Sequence, residues 1–283
     1  MSRPSDDRFL PLQLGLLGRD RPLEYTELAP PPQLSGRVLL FWSIESRARL
    51  ERGFHYRIVP DGCVDLVFDL RGGGAWLYGA SDAALAADLA GDVDFFGVRL
   101  RPGRLGRTLG LSGGGVSRRV VALDQAIGSR ASGWSDELAA APTRALRAAA
   151  AARRLADLEA GSGSPADRLA EAIADAVVES RGALGVEQLA RRFAVSSRHA
   201  ARLCRRAAGL SPKQLGRVIR FQRALRSLAS GSATLAALAA DHGYFDQAHM
   251  TGEFRDLLGA TPAAAARALR GSGISKNASD GAR

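Results

Sequence analysis

The C-terminal third of the chain repeats itself, and that repeat restricts the fold more than any single segment does. At an offset of 50 residues, Gly209-Leu210-Ser211-Pro212 matches Gly259-Ala260-Thr261-Pro262. Upstream, Cys204 falls on Phe254, Ala200 on Met250, His199 on His249, Val195 on Phe245 and Ala190 on Ala240. A period of this length marks a duplicated supersecondary unit. Each copy reads as helix, tight turn, helix. In the first, a helix runs from Val186 to Phe193, Ala194-Val195 turns the chain, and Ser196 caps a second helix that Gly209 stops. In the second, Leu235 to His242 is followed by Gly243, and Asp246 caps a helix that ends at Gly259. The small Ala190 and Ala240 let the paired helices cross closely. Ser211-Pro212 opens a longer helix between the units, reaching about Ala229.

If Ala200, Leu203 and Cys204 face inward, the outward face of the first unit's second helix carries Ser197, Arg198, Ala201, Arg202 and Arg205. The repeat maps these onto Gln247, Ala248, Thr251, Gly252 and Arg255. A helix laid in the DNA major groove reads bases with its N-terminal residues, using Arg against guanine and Gln or Asn against adenine. Arg205, Arg206, Lys213, Arg217 and Arg255 are placed to meet phosphates, which position a protein without reading sequence.

The charge distribution agrees. The formal net charge is +10, yet residues 1–182 balance to zero. Residues 183–270 hold 14 Arg and Lys against 5 Asp and Glu, a concentrated block that suits a polyanion. No run of about 18 apolar residues suggests a membrane span, and the N-terminus shows no secretory pattern. The two cysteines, Cys63 and Cys204, are far apart and form no CxxC pair, so a reducing cytoplasm is expected, with no metal site and no cofactor.

Residues 1–33 read as a loosely ordered lead-in, 34–160 as a sensing or dimerising domain, and 161–182 as a Gly161-Ser162-Gly163 linker with a connecting helix. Residues 183–270 form the DNA-binding domain, and 271–283 a disordered tail. The texture of 34–105 is that of strands. Cys63 to Leu70 alternates, with Val64, Leu66, Phe68 and Leu70 on one face and Cys63, Asp65, Val67 and Asp69 on the other. Val38–Trp42, Trp76–Tyr78 and Phe95–Leu100 are further strands, and helices follow from about 135. The expected architecture is an α+β N-terminal domain, β-rich and then helical, joined to an all-α domain with two helix-turn-helix units.

VEQLARRFAVSSRHAARLCRRAAGLSPKQ and YFDQAHMTGEFRDLLGATP, joined through Arg220-Phe221-Gln222-Arg223-Ala224, resemble the AraC/XylS family of bacterial transcription regulators. The resemblance covers about residues 183–269. It implies two recognition helices in successive major-groove segments, with positions 198, 201, 202, 247, 248, 251 and 252 facing bases, and double-stranded DNA and RNA polymerase as partners. Gly252 and Ala248 depart from the family's longer side chains, which leaves specificity mainly to the first unit. The stretch Pro60-Asp61-Gly62-Cys63-Val64-Asp65-Leu66-Val67-Phe68, with Phe96 to Gly103, is similar to an uncharacterised domain often fused to such units. That similarity implies a sensory or dimerising role, a small-molecule effector and a homodimer, without naming a ligand.

Trp42, His55, Arg57, Cys63, Asp65, Arg99 and Arg101 are the candidate effector contacts. Four of them have a plainer reading: Trp42 as core, Cys63 as a small buried residue, Arg99 and Arg101 as solvent-facing. Two other functions compete with a specific regulator. One is an enzyme, or a methyl-accepting repair protein, using Cys63. The other is a non-specific nucleic-acid binder, whose affinity ignores sequence. The glycine runs RGGGA and SGGGV lack the ending of a phosphate loop.

Overall fold

The computed structural model describes residues 22–158, 164–230 and 234–271. The first part of the lead-in, Gly161-Ser162-Gly163 and all but the first residue of the tail lie outside the described residues. The N-terminal domain is built on a six-stranded antiparallel sheet ordered β1-β2-β7-β4-β5-β8. Its strands are β1 (Leu23–Leu28), β2 (Val38–Ser46), β4 (Val64–Asp69), β5 (Ala75–Tyr78), β7 (Asp94–Leu100) and β8 (Val120–Ala122). β3 (Leu50–Ile58) and β6 (Leu85–Gly91) form a separate two-stranded sheet.

Two expectations need correction here. The sequence reads residues 23–28 as part of a loosely ordered lead-in, but β1 pairs along its whole length with β2, from Leu23 opposite Ser46 to Leu28 opposite Phe41. Leu23 is buried, and that apolar anchor turns a polar segment into an edge strand. β6 was not foreseen at all. Its sequence, LAADLAG, has helix-forming composition, yet Phe54 opposite Leu89 and Ile58 opposite Leu85 pair it with β3. Cross-strand neighbours outweigh local preference in such a segment.

Both faces of the six-stranded sheet are covered. Phe41, Leu66, Phe68, Leu77, Phe96 and Val98 share one face and are fully buried. Trp134 stacks on Phe68 there, at 5.5 Å between ring centroids. Trp134 opens the fourth of five helices in this domain: α1 (Leu105–Leu109), α2 (Gly113–Val116), α3 (Leu123–Ile127), α4 (Trp134–Ala140) and α5 (Arg144–Asp157). Arg147 ties α5 to the sheet with a two-pronged pair to Asp94 at 2.8 and 2.9 Å. The opposite face carries Trp42, Asp65, Val67, Trp76, Phe95 and Arg99, and the two-stranded sheet lies across it.

The C-terminal bundle holds α6 (Pro165–Glu179), α7 (Val186–Arg192), α8 (Ser197–Ala208), α9 (Pro212–Ser230), α10 (Leu235–Asp241), α11 (Gln247–Leu258) and α12 (Pro262–Gly271). α6 starts at a reciprocal Ser164–Asp167 capping box. It packs along α8 and α9, burying Ile173 and Val177, so it is a core helix of the bundle rather than a free connector.

The two domains meet over polar and apolar contacts. Arg104 grips Asp175 of α6 at 2.7 and 2.8 Å. A Cβ at Gly113 would come within 2.6 Å of the Ala207 carbonyl, so the start of α2 lies directly on the C-terminal end of α8. The Gln222 amide of α9 donates to the Pro60 carbonyl at 2.7 Å. No helix among the described residues is long and apolar enough to cross a membrane.

Candidate nucleic-acid interface and ligand cavity

Each helix-turn-helix unit is built from the same local devices. Ser196 accepts a hydrogen bond from the His199 amide, Asp246 from the His249 amide, and left-handed Gly209 and Gly259 stop the helices. Leu189 and Ala190 of α7, and Leu238 and Ala239 of α10, supply the buried faces. The registers of the two copies differ by one residue before the turn. Val195 N–H bonds the Ala190 carbonyl and Tyr244 N–H bonds the Ala239 carbonyl. Hence Ala190 is equivalent to Ala239, not to Ala240, which is exposed. Val195 is equivalent to Tyr244, not to Phe245. The positive φ of Ala194 (51°) likewise corresponds to that of Gly243 (73°).

The second turn thus holds one additional residue, Phe245, with 92 % of its surface exposed. The sequence comparison at a fixed offset hid it. His249 Nδ1 accepts the Phe245 amide at 3.2 Å, which holds this extra residue in place at the head of α11.

The base-facing candidates all lie on the outer side of α8 and α11. Arg198, Arg202, Gln247 and Ala248 are exposed, while Ser197, Ala201, Thr251 and Gly252 are half-buried. A Cβ at Gly252 would meet nothing within 4 Å, so that position opens onto solvent. Among the phosphate candidates, Arg205, Lys213 and Arg255 are exposed, and Arg206 pairs with Asp167 at 2.7 Å. Arg217 is different. It bridges α9 to α11 through Glu253 at 3.0 Å and Asp256 at 3.2 Å, and Glu253, itself buried, also holds Arg220. Arg217 therefore organises the second unit from within, its guanidinium taken up by these carboxylates rather than offered to phosphate.

A cavity of about 320 Å³ separates the two sheets of the N-terminal domain. Asp65 stands opposite Arg99 on β7 and Tyr78 on β5. Arg99 Nε meets Asp65 at 3.0 Å and Asp61 at 3.4 Å. Gly97 lies opposite Trp42, and a Cβ there would collide with the indole at 2.0 Å. The missing side chain lets the Trp42 ring lie on the sheet with Nε1 donating to Asp65 at 2.8 Å. Burial lowers the pKa of the Arg99 guanidinium, but Asp65 and Asp61 raise it by more, so it stays charged.

Of the seven effector candidates, the structure gathers Trp42, Cys63, Asp65 and Arg99 around this cavity. It leaves out three. His55 is exposed and faces Asp88 on the neighbouring strand β6. Arg57 reaches away, donating to the Leu258 carbonyl at the end of α11 at 3.0 Å. Arg101 lies past the end of β7 and donates to the Ser35 carbonyl at 2.7 Å. Asp61, Tyr25, Tyr78 and Phe95 also line the cavity and were missed. The signal for them was the second face of β4, where Cys63, Asp65 and Val67 alternate with the core residues.

Residues 189–268 match a family described as a helix-turn-helix domain. Residues 26–121 match a domain of unknown function, DUF6597. The chain carries an AraC-type helix-turn-helix domain behind a DUF6597 domain. No curated protein matches it. Among solved structures, the C-terminal domain of AraT, a response regulator from Geobacillus stearothermophilus, is 26% identical over 37% of this chain and 85% of its own, with a TM-score of 0.32. ToxT from Vibrio cholerae O395 is 10% identical over 88% of this chain and 98% of its own, with a TM-score of 0.39.

In the DUF6597 domain, Cys63 is not set up as a nucleophile. Burial pushes its thiol up, and the nearby Asp61 adds to the rise. In the AraC-type domain, burial pushes Cys204 up to about 12. A reactive thiolate needs the opposite: exposure and a lowered pKa. Among the described residues no group of three or more His, Cys, Asp or Glu is arranged to hold a metal ion. Neither thiol is expected to react with Ellman's reagent at pH 8 in the folded protein, and both should react at once in guanidinium. Fast labelling of folded Cys63 would reopen the reading of that cysteine as a methyl acceptor or nucleophile.

Proposed function

We propose that this DNA-binding transcription regulator is sequence-specific and that its DUF6597 domain adjusts DNA binding in response to a small molecule. Sequence reading is supported by the accessible N-terminal halves of α8 and α11, where Arg198, Arg202 and Gln247 stand outward. The N-terminal domain touches the other ends: α2 at the C-terminus of α8, and Arg57 at the C-terminus of α11. Both recognition helices are thus braced by the N-terminal domain while their reading ends stay clear.

The observation that carries the effector reading is the Pro60-Asp61-Gly62 turn. On one side Pro60 and Asp61 line the cavity. On the other, Pro60 accepts the buried Gln222 amide of α9. Gly62, at φ +74°, leaves room for Leu215 of the same helix, which a Cβ would meet at 2.9 Å. α9 joins the two reading units, so a ligand that moves the turn acts on their relative placement. A ligand shifts such an equilibrium only by its differential affinity for the two arrangements.

The test is selection of duplexes from a random library by the full-length protein, followed by anisotropy titrations at physiological salt. The expected result is a preferred site bound about 10³-fold or more tighter than scrambled DNA. Enrichment of no sequence, with equal affinity for all duplexes, would leave a non-specific binder instead.

A further inference from the structure

The reading face of α11 lacks the cations of its counterpart. Where α8 presents Arg198 and Arg202, the repeat places Ala248 and Gly252 in α11, and Gln247 supplies the polar group at the head of that helix. Beside it stands Phe245, the residue that the first turn does not have. Resting on the sequence-specific reading, we propose that Phe245 reads thymine. Its ring packs on the C5-methyl group of a thymine in the major groove, so the second unit selects an A·T part of the operator while Arg198 and Arg202 of the first select guanines.

Exposure and anchoring come first. Phe245 is 92 % exposed, against 51 % for the next large apolar side chain among the described residues, Leu146. Single apolar residues on a surface are ordinary, but this one is held in place. Its amide donates to His249 Nδ1 at 3.2 Å. The His249 ring meets buried Tyr244 edge-on at 5.5 Å, and its Nε2 faces buried Glu253 at 3.6 Å. Glu253 is in turn gripped by Arg217 and Arg220 of α9. The backbone of Phe245 is thus tied to the bundle core while its ring is left in water. An aromatic side chain presented in this way, with two torsions, loses little freedom when a partner covers it.

Position and chemistry then select the partner. Phe245 directly precedes Asp246, whose carboxylate caps α11, so the ring leaves the chain at the end of the helix that reads bases. Ala248 is short, and nothing stands within 4 Å of a Cβ at Gly252. Small side chains let α11 approach the bases closely and bring the residue at its head with it. Of the four bases, thymine alone shows a methyl group in the major groove, and Phe is among the side chains that suit it. Gln247, two residues on, pairs with adenine through two hydrogen bonds. The two side chains together recognise both members of an A·T pair or of neighbouring pairs. A protein partner would also cover an exposed ring. However, the outward faces of both recognition helices and the start of α9 are cationic, with Arg198, Arg202, Arg205, Lys213 and Arg255 exposed, and that surface matches a polyanion.

The test uses the full-length protein and the duplex it selects. Each thymine of that duplex is replaced singly by deoxyuridine, which removes the methyl group and keeps every hydrogen bond. At least one replacement should weaken wild-type binding about fourfold, the value of one buried methyl group. Phe245→Ala is a surface change and should melt like the wild type. It should weaken the thymine duplex by about fourfold or more, bind scrambled DNA within about twofold of the wild type, and be indifferent to the same deoxyuridine. A deoxyuridine penalty that survives in Phe245→Ala assigns the methyl group to another residue. Tolerance of deoxyuridine at every position, or an unweakened Phe245→Ala, leaves the ring to a protein partner. Each of these results overturns the proposal. The sequence-specific reading fails differently: the protein then enriches no duplex at all, and the thymine preference falls with it. A selected site without the thymine coupling removes only the role of Phe245.

Discussion

Replacing Arg198 or Arg202 by Ala is expected to cost about 1–3 kcal/mol of discrimination between the selected site and scrambled DNA, the value of one two-pronged contact to a base pair. Both side chains are exposed on α8, one turn apart. Arg202 has only a 3.4 Å approach to His199 Nε2 to lose. Stability should therefore stay within about 0.5 kcal/mol, as for other surface changes. Arg205→Ala supplies the contrast. It should weaken all duplexes alike and lower the salt dependence by about one counterion, the mark of a phosphate contact. Anisotropy titrations of both duplexes at several salt concentrations separate these outcomes. If Arg198→Ala and Arg202→Ala weaken scrambled DNA as much as the selected site, α8 grips the backbone and does not read bases.

Arg99→Ala should destabilise the protein by about 3–5 kcal/mol, because it leaves the enclosed Asp65 carboxylate without its cation and removes one of the partners of Asp61. Asp61 and Asp65 have only 9 % and 13 % of their side chains exposed. The loss would appear as a large fall in the urea midpoint at neutral pH. Arg49→Ala makes the comparison. Its partner Asp92 sits at 3.1 Å, but the two side chains are 67 % and 55 % exposed. Such a pair contributes at most about 1 kcal/mol. An Arg99→Ala cost no larger than that of Arg49→Ala would mean that water reaches the cavity floor and screens the pair.

The reading units were legible because their signals are local. A cap lies within three residues of the amide it satisfies, and a helix-stopping glycine within one turn of the carbonyl it follows. Ser196, Gly209, Asp246 and Gly259 could each be placed without knowing anything distant. The slip at Phe245 has the same origin in reverse. A fixed offset aligns α8 with α11 correctly, and only the backbone bonds of the turn, Val195 to Ala190 and Tyr244 to Ala239, reveal the inserted residue. Arg217 was misjudged because its partner Glu253 stands 36 residues away. Counting charge along the chain cannot show which cations are already neutralised.

The N-terminal domain was harder to read. Its four most regular strands were visible as alternation or apolar runs. β1, β3, β6 and β8 were not, since pairing with a neighbour, rather than composition, makes them strands. The β4 alternation correctly separated two faces, but its polar side reads as solvent-facing in sequence. In the fold the small β3–β6 sheet covers that side and turns Asp65 and Arg99 into a buried pair.

The residues by themselves determined the duplicated helix-turn-helix pattern, its caps, the concentration of positive charge beside it and the strand character of residues 38–42, 63–70, 76–78 and 95–100. These follow from periods and contacts spanning a few positions. Tertiary structure alone decided that Arg99 meets Asp65 and Asp61, that Trp42 folds over Gly97, and that the Pro60-Asp61-Gly62 turn joins the cavity to α9. Those contacts span distances in sequence from 34 to 162 residues. The longer ones close only when burial of the surrounding apolar surface outweighs the entropy of bringing the segments together.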